Sequence, residues 1–328
     1  MRVLVVGGAG YIGSHMVKML GREGCAVTTL DDLSSGHRDA VLAGEFVQGS
    51  CADKALLDSL LGSRFDAVMH FASFIQVGES VQHPAKYYAN NVAHTLTLLN
   101  AMRAHGIKRF IFSSTAATFG TPRYVPIDEE HPQTPINPYG RTKLMIEQIL
   151  SDYDIAYGLK SVSLRYFNAA GADPEGELGE RHDPETHLIP LVLQAASGRR
   201  SHITVFGRDY DTPDGTCIRD YIHIEDLCSA HWLALQSLMQ GGESQAYNLG
   251  NGSGFSVQEV IDTAERVTGK TIPTQEGPRR AGDPARLVAD SRRAKQSLGW
   301  TPHHADLATL IQHAWQWELK LMRKAAPR

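Results

Sequence analysis

Apolar positions in the first half of the chain fall into two alternating rhythms. Short β-branched or aliphatic runs at residues 3–6, 26–31, 67–71, 110–114 and 161–166 read as buried strands. Between them, apolar residues recur at helical spacing over 11–23, 84–105 and 138–157. Strands and helices alternating in this way predict an α/β fold built on a doubly wound parallel (Rossmann) sheet, because right-handed crossovers place helices on both faces. The rhythm breaks after Asn168. Residues 171–187 are rich in Gly, Pro, Asp, Glu and His and read as a loop. Helices are then predicted at 188–197, 224–239, 256–268 and 305–324, with a strand at 202–206 and a Gly/Pro/Asp loop at 207–215. The expected organisation is a sheet domain over 1–167, with part of 216–240 packing back on it, and a smaller α/β substrate domain over 168–328.

Composition mainly removes alternatives. The chain has 328 residues, 42% of them hydrophobic and 21% charged, enough for one large core and a second, smaller one. A net charge of −4 argues against a nucleic-acid or anionic-membrane partner. No apolar run approaches the roughly 18 residues that span a bilayer. Met1-Arg2 leads into only four apolar residues before glycines begin, so no signal peptide is expected. Cys25, Cys51, Cys217 and Cys228 show no metal-binding spacing, which suits reduced thiols and a cytoplasmic location. His182 with His187, and the pair His303-His304, could ligate a metal, but no neighbouring sequence completes a set, so no metal is expected.

Two constellations carry chemistry. Gly7, Gly10 and Gly13 follow the first strand and open the first helix, around Tyr11 and Ile12. That spacing permits a tight turn and brings a pyrophosphate against backbone N–H groups at the helix N-terminus. Asp31 ends the second strand eighteen residues past Gly13. A carboxylate there accepts from a ribose 2′-hydroxyl and repels a 2′-phosphate, so NAD is favoured over NADP. Asp32, Ser34, Ser35 and Gly36 follow, where a phosphate would call for a basic residue. The second constellation is Tyr139 and Lys143. Asn137 is a good N-cap and Pro138 suits the first helical position. Positions four apart share a helix face, so phenol and ammonium can enter one pocket. Many helices carry that pair as surface decoration; its function rests on its neighbours. A nearby cation favours tyrosinate, and a tyrosine of lowered pKa is a usable general base.

The glycine spacing, Thr115 and the Tyr139/Lys143 pair together resemble the extended short-chain dehydrogenase/reductase superfamily. Within it the chain is similar to the UDP-glucose 4-epimerase family from Met1 to about Trp300. The likeness is carried by His70-Phe71-Ala72 with Val77-Gly78-Glu79-Ser80, by Ser113–Gly120 and by Leu164-Arg165-Tyr166-Phe167-Asn168. Most specific is Phe206-Gly207-Arg208-Asp209-Tyr210 continuing to Arg219-Asp220-Tyr221-Ile222-His223. The resemblance implies redox-neutral chemistry with bound NAD through a 4-keto sugar. Tyr139 takes the proton of the sugar 4-hydroxyl, Lys143 binds the nicotinamide ribose and keeps the tyrosine pKa low, and Thr115 orients the reacting hydroxyl. Bringing a tyrosine from about 10 to near 7 asks for roughly 4 kcal/mol of differential stabilisation. Ala116 and Ala117 stand where the related dehydratases carry an acid and a base, so water elimination lacks its proton carriers.

The same resemblance places Ser50 and Cys51 at the adenine and adds Phe71, Ala72, Ser73, Asn91 and Tyr166 to the cofactor site. For a UDP-sugar it implies Arg219 and Arg280 on the diphosphate, where guanidinium grips phosphate bidentately. Asn168 and Leu188 join them, Phe206 faces the uracil, Asp283 the uridine ribose, and Thr204 and His187 complete the substrate set. Ser50 replaces a usual aspartate, Ile75 a lysine of some members, and His187 an asparagine. Leu287 holds the position linked to tolerance of an N-acetyl group at C2, and leucine predicts partial 2-acetamido activity. The expected function is interconversion of UDP-glucose and UDP-galactose in a homodimer formed through helices 84–105 and 138–157. Alternatives are 4-epimerisation of another UDP-sugar (glucuronate or pentose), a net NAD-dependent oxidoreductase, and a silent NAD-binding regulator. Arg219, Arg280 and the Phe206 segment argue against a small apolar substrate.

Overall fold

The computed structural model describes residues 1–280 and 282–325. Its centre is a seven-stranded sheet in which every neighbouring pair runs parallel. The first six strands are β1 (Arg2–Val6), β2 (Ala26–Asp31), β3 (Glu45–Gln48), β4 (Ala67–His70), β5 (Arg109–Thr115) and β6 (Lys160–Tyr166). They lie in the order β6-β5-β4-β1-β2-β3, and the strand Gln245–Leu249 pairs with β6 at the far edge. The strand order reverses direction beside β1, which opens a crevice at the carboxyl ends of β1 and β4.

Both faces of the sheet are covered, which is why the strands read as continuous apolar runs. Along β1, Val3 and Val5 face one core with Ile111, Leu164 and Leu227, while Leu4 and Val6 face the other with Val68, Leu98, Phe110 and Ile146. The helix Tyr11–Arg22 starts directly at the glycine turn. The helix Pro138–Tyr157 is capped by Asn137, whose side-chain oxygen accepts from Gly140 N at 2.8 Å, and ends at left-handed Gly158. A third core joins the helices Leu188–Ser197, Val257–Thr268 and Leu307–Ala325 to the strand Ile203–Phe206.

The structure differs from the sequence expectation at several elements. Residues 245–249, assigned to the second domain, complete the first sheet. Helix Ile224–Met239 and Trp300 bury apolar side chains in the first core as well, so contacts with the sheet extend beyond 216–240. Glu45–Gln48 escaped prediction because it is a short edge strand with a weak apolar pattern. The stretch 84–105 is helical but not uniformly α: Tyr88–Ala93 forms a π-helical turn between Pro84–Tyr87 and His94–Ala104. That turn aims buried Asn91 inward, where it accepts from Phe74 N (2.9 Å) and donates to Phe74 O (3.0 Å) and Thr142 Oγ1 (3.1 Å).

Candidate active site

The crevice begins at the glycine turn. Gly7 has φ 81°, and a Cβ built there would lie 2.3 Å from Ala72 N; one on Gly13 would lie 2.1 Å from Gly7 O. Only glycine fits at either place, and the turn packs against the end of β4. Among the described residues no side chain caps the helix at Gly10, and its first turn holds no acidic residue. Its leading N–H groups therefore face outward as an anion cradle. Asp31 clamps the turn, accepting from Ala9 N and Leu33 N at 2.9 Å each, and burial raises its pKa. Each carboxylate oxygen keeps a lone pair for a further donor such as a ribose hydroxyl. Asp32 caps Ser34 N (2.9 Å), and Gly36 lies against both Ala9 and Asp31. Ser50 Oγ accepts from Ala52 N (3.1 Å), while buried Cys51 has its thiol pushed up to about 12. Ala72 N donates to Val6 O at 3.1 Å, and Ser73 Oγ donates to Phe74 O at 3.3 Å. Phe71 packs on His231 with ring centroids 5.1 Å apart.

Beside this cradle β5 and the helix Pro138–Tyr157 bring three predicted residues together. Tyr139, Lys143 and Thr115 are all buried, at 8%, 4% and 7% exposure. The Thr115 side chain lies close enough to the Tyr139 phenol to favour its ionised form. Lys143 Nζ donates to Ser113 O at 2.8 Å and lies 6.0 Å from the Tyr139 ring centroid. Ser113 Oγ is 2.5 Å from the Tyr166 hydroxyl, which links Tyr166 to the same strand.

The expected lowering of the tyrosine pKa is not what the protein groups produce by themselves. Burial pushes Tyr139 up to about 12, and the nearby Thr115 side chain opposes that rise. Lys143 is driven the other way, down to about 7, because burial penalises its ammonium. The physical reason is shared: a dry pocket disfavours both charged forms, and a lysine poised near neutrality exerts less pull than a full cation. Burial also raises Tyr166.

One contributor escaped the sequence reading. Glu147 raises the Lys143 pKa through its charge. Arg165 grips it with Nη2 at 2.6 Å and Nε at 3.1 Å, and Ser114 Oγ also donates to it. Glu147 lies four residues beyond Lys143 and eight beyond Tyr139, so helical periodicity would have found it.

The substrate set lies on smaller elements. Asn168 Nδ2 donates to Asp220 O at 2.8 Å. Arg219 Nη2 donates to Asp283 Oδ1 at 2.7 Å, with Nη1 on Ile218 O and Pro284 O. The Arg280 guanidinium stacks 4.1 Å from the Phe206 ring centroid. Burial raises the pKa of Cys217 and both guanidinium groups oppose that rise, so their fields overlap there. Leu287, half-buried, pairs in register with Arg219. Thr204 pairs with Gln275 on the strand Ile203–Phe206. Leu188 opens its helix, with His187 as N-cap residue. His187 itself turns to two carboxylates, Glu180 and Glu185, within 2.8 and 2.9 Å. The set that the sequence left incomplete around His182 and His187 is closed by these two glutamates.

The sequence matches the model of the NAD dependent epimerase/dehydratase family over residues 3–250. It is 52% identical to a UDP-glucose 4-epimerase of Halalkalibacterium halodurans, covering 97% of this chain and 95% of that one. The structure is similar to the UDP-glucose 4-epimerase of Brucella ovis solved in complex with NAD, with a TM-score of 0.94, 52% identity and coverage of 96% and 97%. It is also similar to the UDP-Glc/GlcNAc 4-epimerase of Campylobacter jejuni, with a TM-score of 0.86, 42% identity and coverage of 97% and 99%.

Proposed function

The chain belongs to the NAD dependent epimerase/dehydratase family, and we propose that within it this protein is a UDP-hexose 4-epimerase interconverting UDP-glucose and UDP-galactose. The observation that carries the reading is the buried Thr115–Tyr139–Lys143 group beside a glycine cradle, with Ala116 and Ala117 next to it. The cradle and Asp31 fit a dinucleotide: backbone N–H groups of the turn take the pyrophosphate and Asp31 a ribose hydroxyl. Bound NAD supplies a hydride acceptor and donor for C4 of the sugar.

The protein's own part is proton handling and positioning. Tyr139 Oη receives the proton of the sugar 4-hydroxyl and returns it when the ketone is reduced on its opposite face. Thr115, beside that phenol, holds the hydroxyl in line. Lys143, fixed by Ser113 O, carries the cationic partner that a tyrosinate needs. Moving the phenol from about 12 toward neutrality requires roughly 7 kcal/mol of differential stabilisation. This demand exceeds the one inferred from an exposed tyrosine. Arg219 and Arg280 supply the diphosphate charge, with Asn168, Leu188, Thr204, Phe206, His187 and Asp283 lining the rest of the nucleotide-sugar site.

The test is to incubate purified protein with UDP-glucose, UDP-GlcNAc, UDP-glucuronate and UDP-xylose and resolve the C4 epimers. Interconversion of UDP-glucose and UDP-galactose is expected. Failure with every sugar, even with added NAD, would remove the reading. Leu287 supports partial turnover of UDP-GlcNAc, since it is shorter than tyrosine and has no hydroxyl. If UDP-GlcNAc is inert and Leu287→Cys creates turnover, the leucine is a closed gate. A cytoplasmic homodimer is part of the proposal. Its support is apolar surface on one of the expected helices, 138–157: Ile155 is 84% exposed, and Met145 and Tyr157 are exposed too. A monomer in light scattering refutes it. Among the described residues no helix is long and apolar enough to cross a membrane.

A further inference from the structure

The loop between Asn168 and the helix Leu188–Ser197 holds a group of ligating side chains of which the proposed function draws only on His187, as part of the lining of the sugar site. One donor atom each from Glu180, His182, Glu185 and His187 lies within 4.8 Å of the others. His182 Nδ1 is 3.0 Å from Glu180 Oε1 and 3.7 Å from Glu185 Oε2. His187 Nδ1 is 2.8 Å from Glu180 Oε1 and 2.9 Å from Glu185 Oε1. We propose that these four residues form a binding site for one divalent cation of the zinc class, which fastens this loop over the nucleotide turn.

Three observations support the assignment. The first is donor geometry. A tetrahedral zinc with bonds of about 2.0–2.1 Å sets its donor atoms about 3.3 Å apart. The four imidazole–carboxylate separations of 2.8–3.7 Å bracket that edge length, and all four donor groups lie within 4.8 Å of one another. The second is burial. The two carboxylates are 5% and 6% exposed and converge on one point. Two buried anions in one place need cationic charge between them. The third is support around the donors. Glu185 Oε1 accepts from Thr186 N (2.7 Å) and His187 N (2.8 Å), and Trp317 Nε1 anchors Glu180 O at 3.0 Å. The edge of the Tyr11 ring packs on His182, with centroids 6.3 Å apart. Such outer contacts orient metal ligands.

Donor chemistry selects the class of cation. Two imidazoles with two carboxylates suit zinc and its neighbours, whereas magnesium and calcium favour all-oxygen sets. Two other clusters compete less well. Asp173, Glu175 and Glu177 also converge, but the Lys18 ammonium sits among them at 2.7, 3.0 and 2.8 Å. His223, His304 and His313 have ring centroids 4.5–5.5 Å apart, but among the described residues their ring nitrogens do not converge into a ligand set. The consequence for the fold is local. The loop touches the nucleotide turn through Tyr11 Oη donating to Gly171 O (2.7 Å), His37 Nε2 at Arg181 O (3.3 Å) and the Arg181–Asp39 ion pair. A cation at the quartet would hold all three contacts in register.

The experiment uses the NAD-loaded full chain, dialysed against a chelator and then equilibrated with zinc chloride or magnesium chloride. Retained metal and the thermal midpoint are both measured. One zinc per chain and a zinc-dependent rise in midpoint are expected for the wild type, with no response to magnesium. His182→Gln is expected to lower zinc affinity at least about 100-fold and to abolish the midpoint shift. His313→Gln should bind zinc as the wild type does. Glu180→Gln serves as a second ligand variant if His182→Gln does not fold. No retained zinc in the wild type, or equal retention in the folded ligand variant, overturns the site and leaves a quartet neutralised by protons alone. Loss of zinc in His313→Gln overturns it in favour of the other histidine cluster, and equal binding of magnesium overturns the class.

Discussion

Burial moves the two residues at the centre of the site in opposite directions, and this decides what their substitution should do. Tyr139→Phe removes the phenol beside Thr115, so epimerisation should fall about 1,000-fold, within the 10²–10⁴ typical of one proton-transfer group. NAD content should stay near that of the wild type; near-normal turnover would exclude the tyrosine as base. Lys143 gives a test that is independent of turnover. Its folded pKa is about 7 against 10.5 unfolded, so the unfolded chain holds a proton across that window that the folded chain lacks. Stability therefore rises with pH between those values, and below pH 7 the whole cost of the buried ammonium is present. In cofactor-stripped protein, Lys143→Met should raise the thermal midpoint at pH 6.5 by about 5 °C, with a smaller gain at pH 9. A gain that does not change with pH would mean that burial of the charge is not its source. Spacing alone revealed the Tyr139/Lys143 pair. It could not reveal the lowered lysine, because desolvation depends on neighbours distant in sequence such as Phe112, whose ring centroid lies 5.0 Å from Lys143 Nζ.

At the scale of elements, the helix Pro138–Tyr157 is held to the Thr115 turn by a missing side chain. A Cβ on Gly140 would sit 2.4 Å from Ala117 O and 3.0 Å from Pro135 Cβ. Backbone φ at Gly140 is not in the left-handed region, so alanine there is penalised by contact and not by conformation. Gly140→Ala should push the helix outward and part Tyr139 from Thr115. Activity should fall more than about tenfold, because small misplacements of reacting groups are costly. The helix itself gains propensity from alanine, by roughly 0.8–1.0 kcal/mol. Activity should therefore fall further than the thermal midpoint does, and proportional losses would point to unfolding instead. The same elements show how far a pattern reaches. The strands buried on both faces and the capped helix were legible because apolar runs, Asn137 and Gly158 mark them locally. Gln245–Leu249 was not, because its polar Asn248 is buried: Nδ2 donates to Ile127 O (2.9 Å), and its backbone N donates to Glu129 (2.7 Å). A buried polar position satisfied by a distant loop looks like a surface position in sequence. The Glu180–His187 quartet was missed for a related reason. Its donors are close in sequence, but only the folded loop aims them at one point.

At the scale of the whole molecule, burial holds His15, His70, His223 and His231 well below the ordinary imidazole range. Burial pushes His15 down to about 4, His70 to about 3, His231 to about 4 and His223 to about 2. Their surroundings offer few hydrogen bonds to a charged ring: His15 and His231 bond helix carbonyls through Nδ1, His70 bonds Thr95 Oγ1, and His223 faces His313. The sign is that of a lowered base. Their stability contribution is complete above pH 6.5 and is lost as pH falls toward 4, since the unfolded chain takes up protons that the folded chain refuses. Each ring supplies up to about 1.4 kcal/mol per pH unit, so four supply roughly 5 kcal/mol per unit. A domain with 5–15 kcal/mol in total would lose most of that within about two units. Acid unfolding should therefore centre near pH 5, above the range where carboxylates titrate, with about three to four protons taken up per chain. Calorimetry in two buffers of different ionisation enthalpy measures that uptake directly. His231→Leu should reduce it by about one proton and move the acid midpoint downward. Uptake near zero at pH 5, or an unchanged midpoint in that variant, would assign the acid limit to carboxylates and free the histidines of that role.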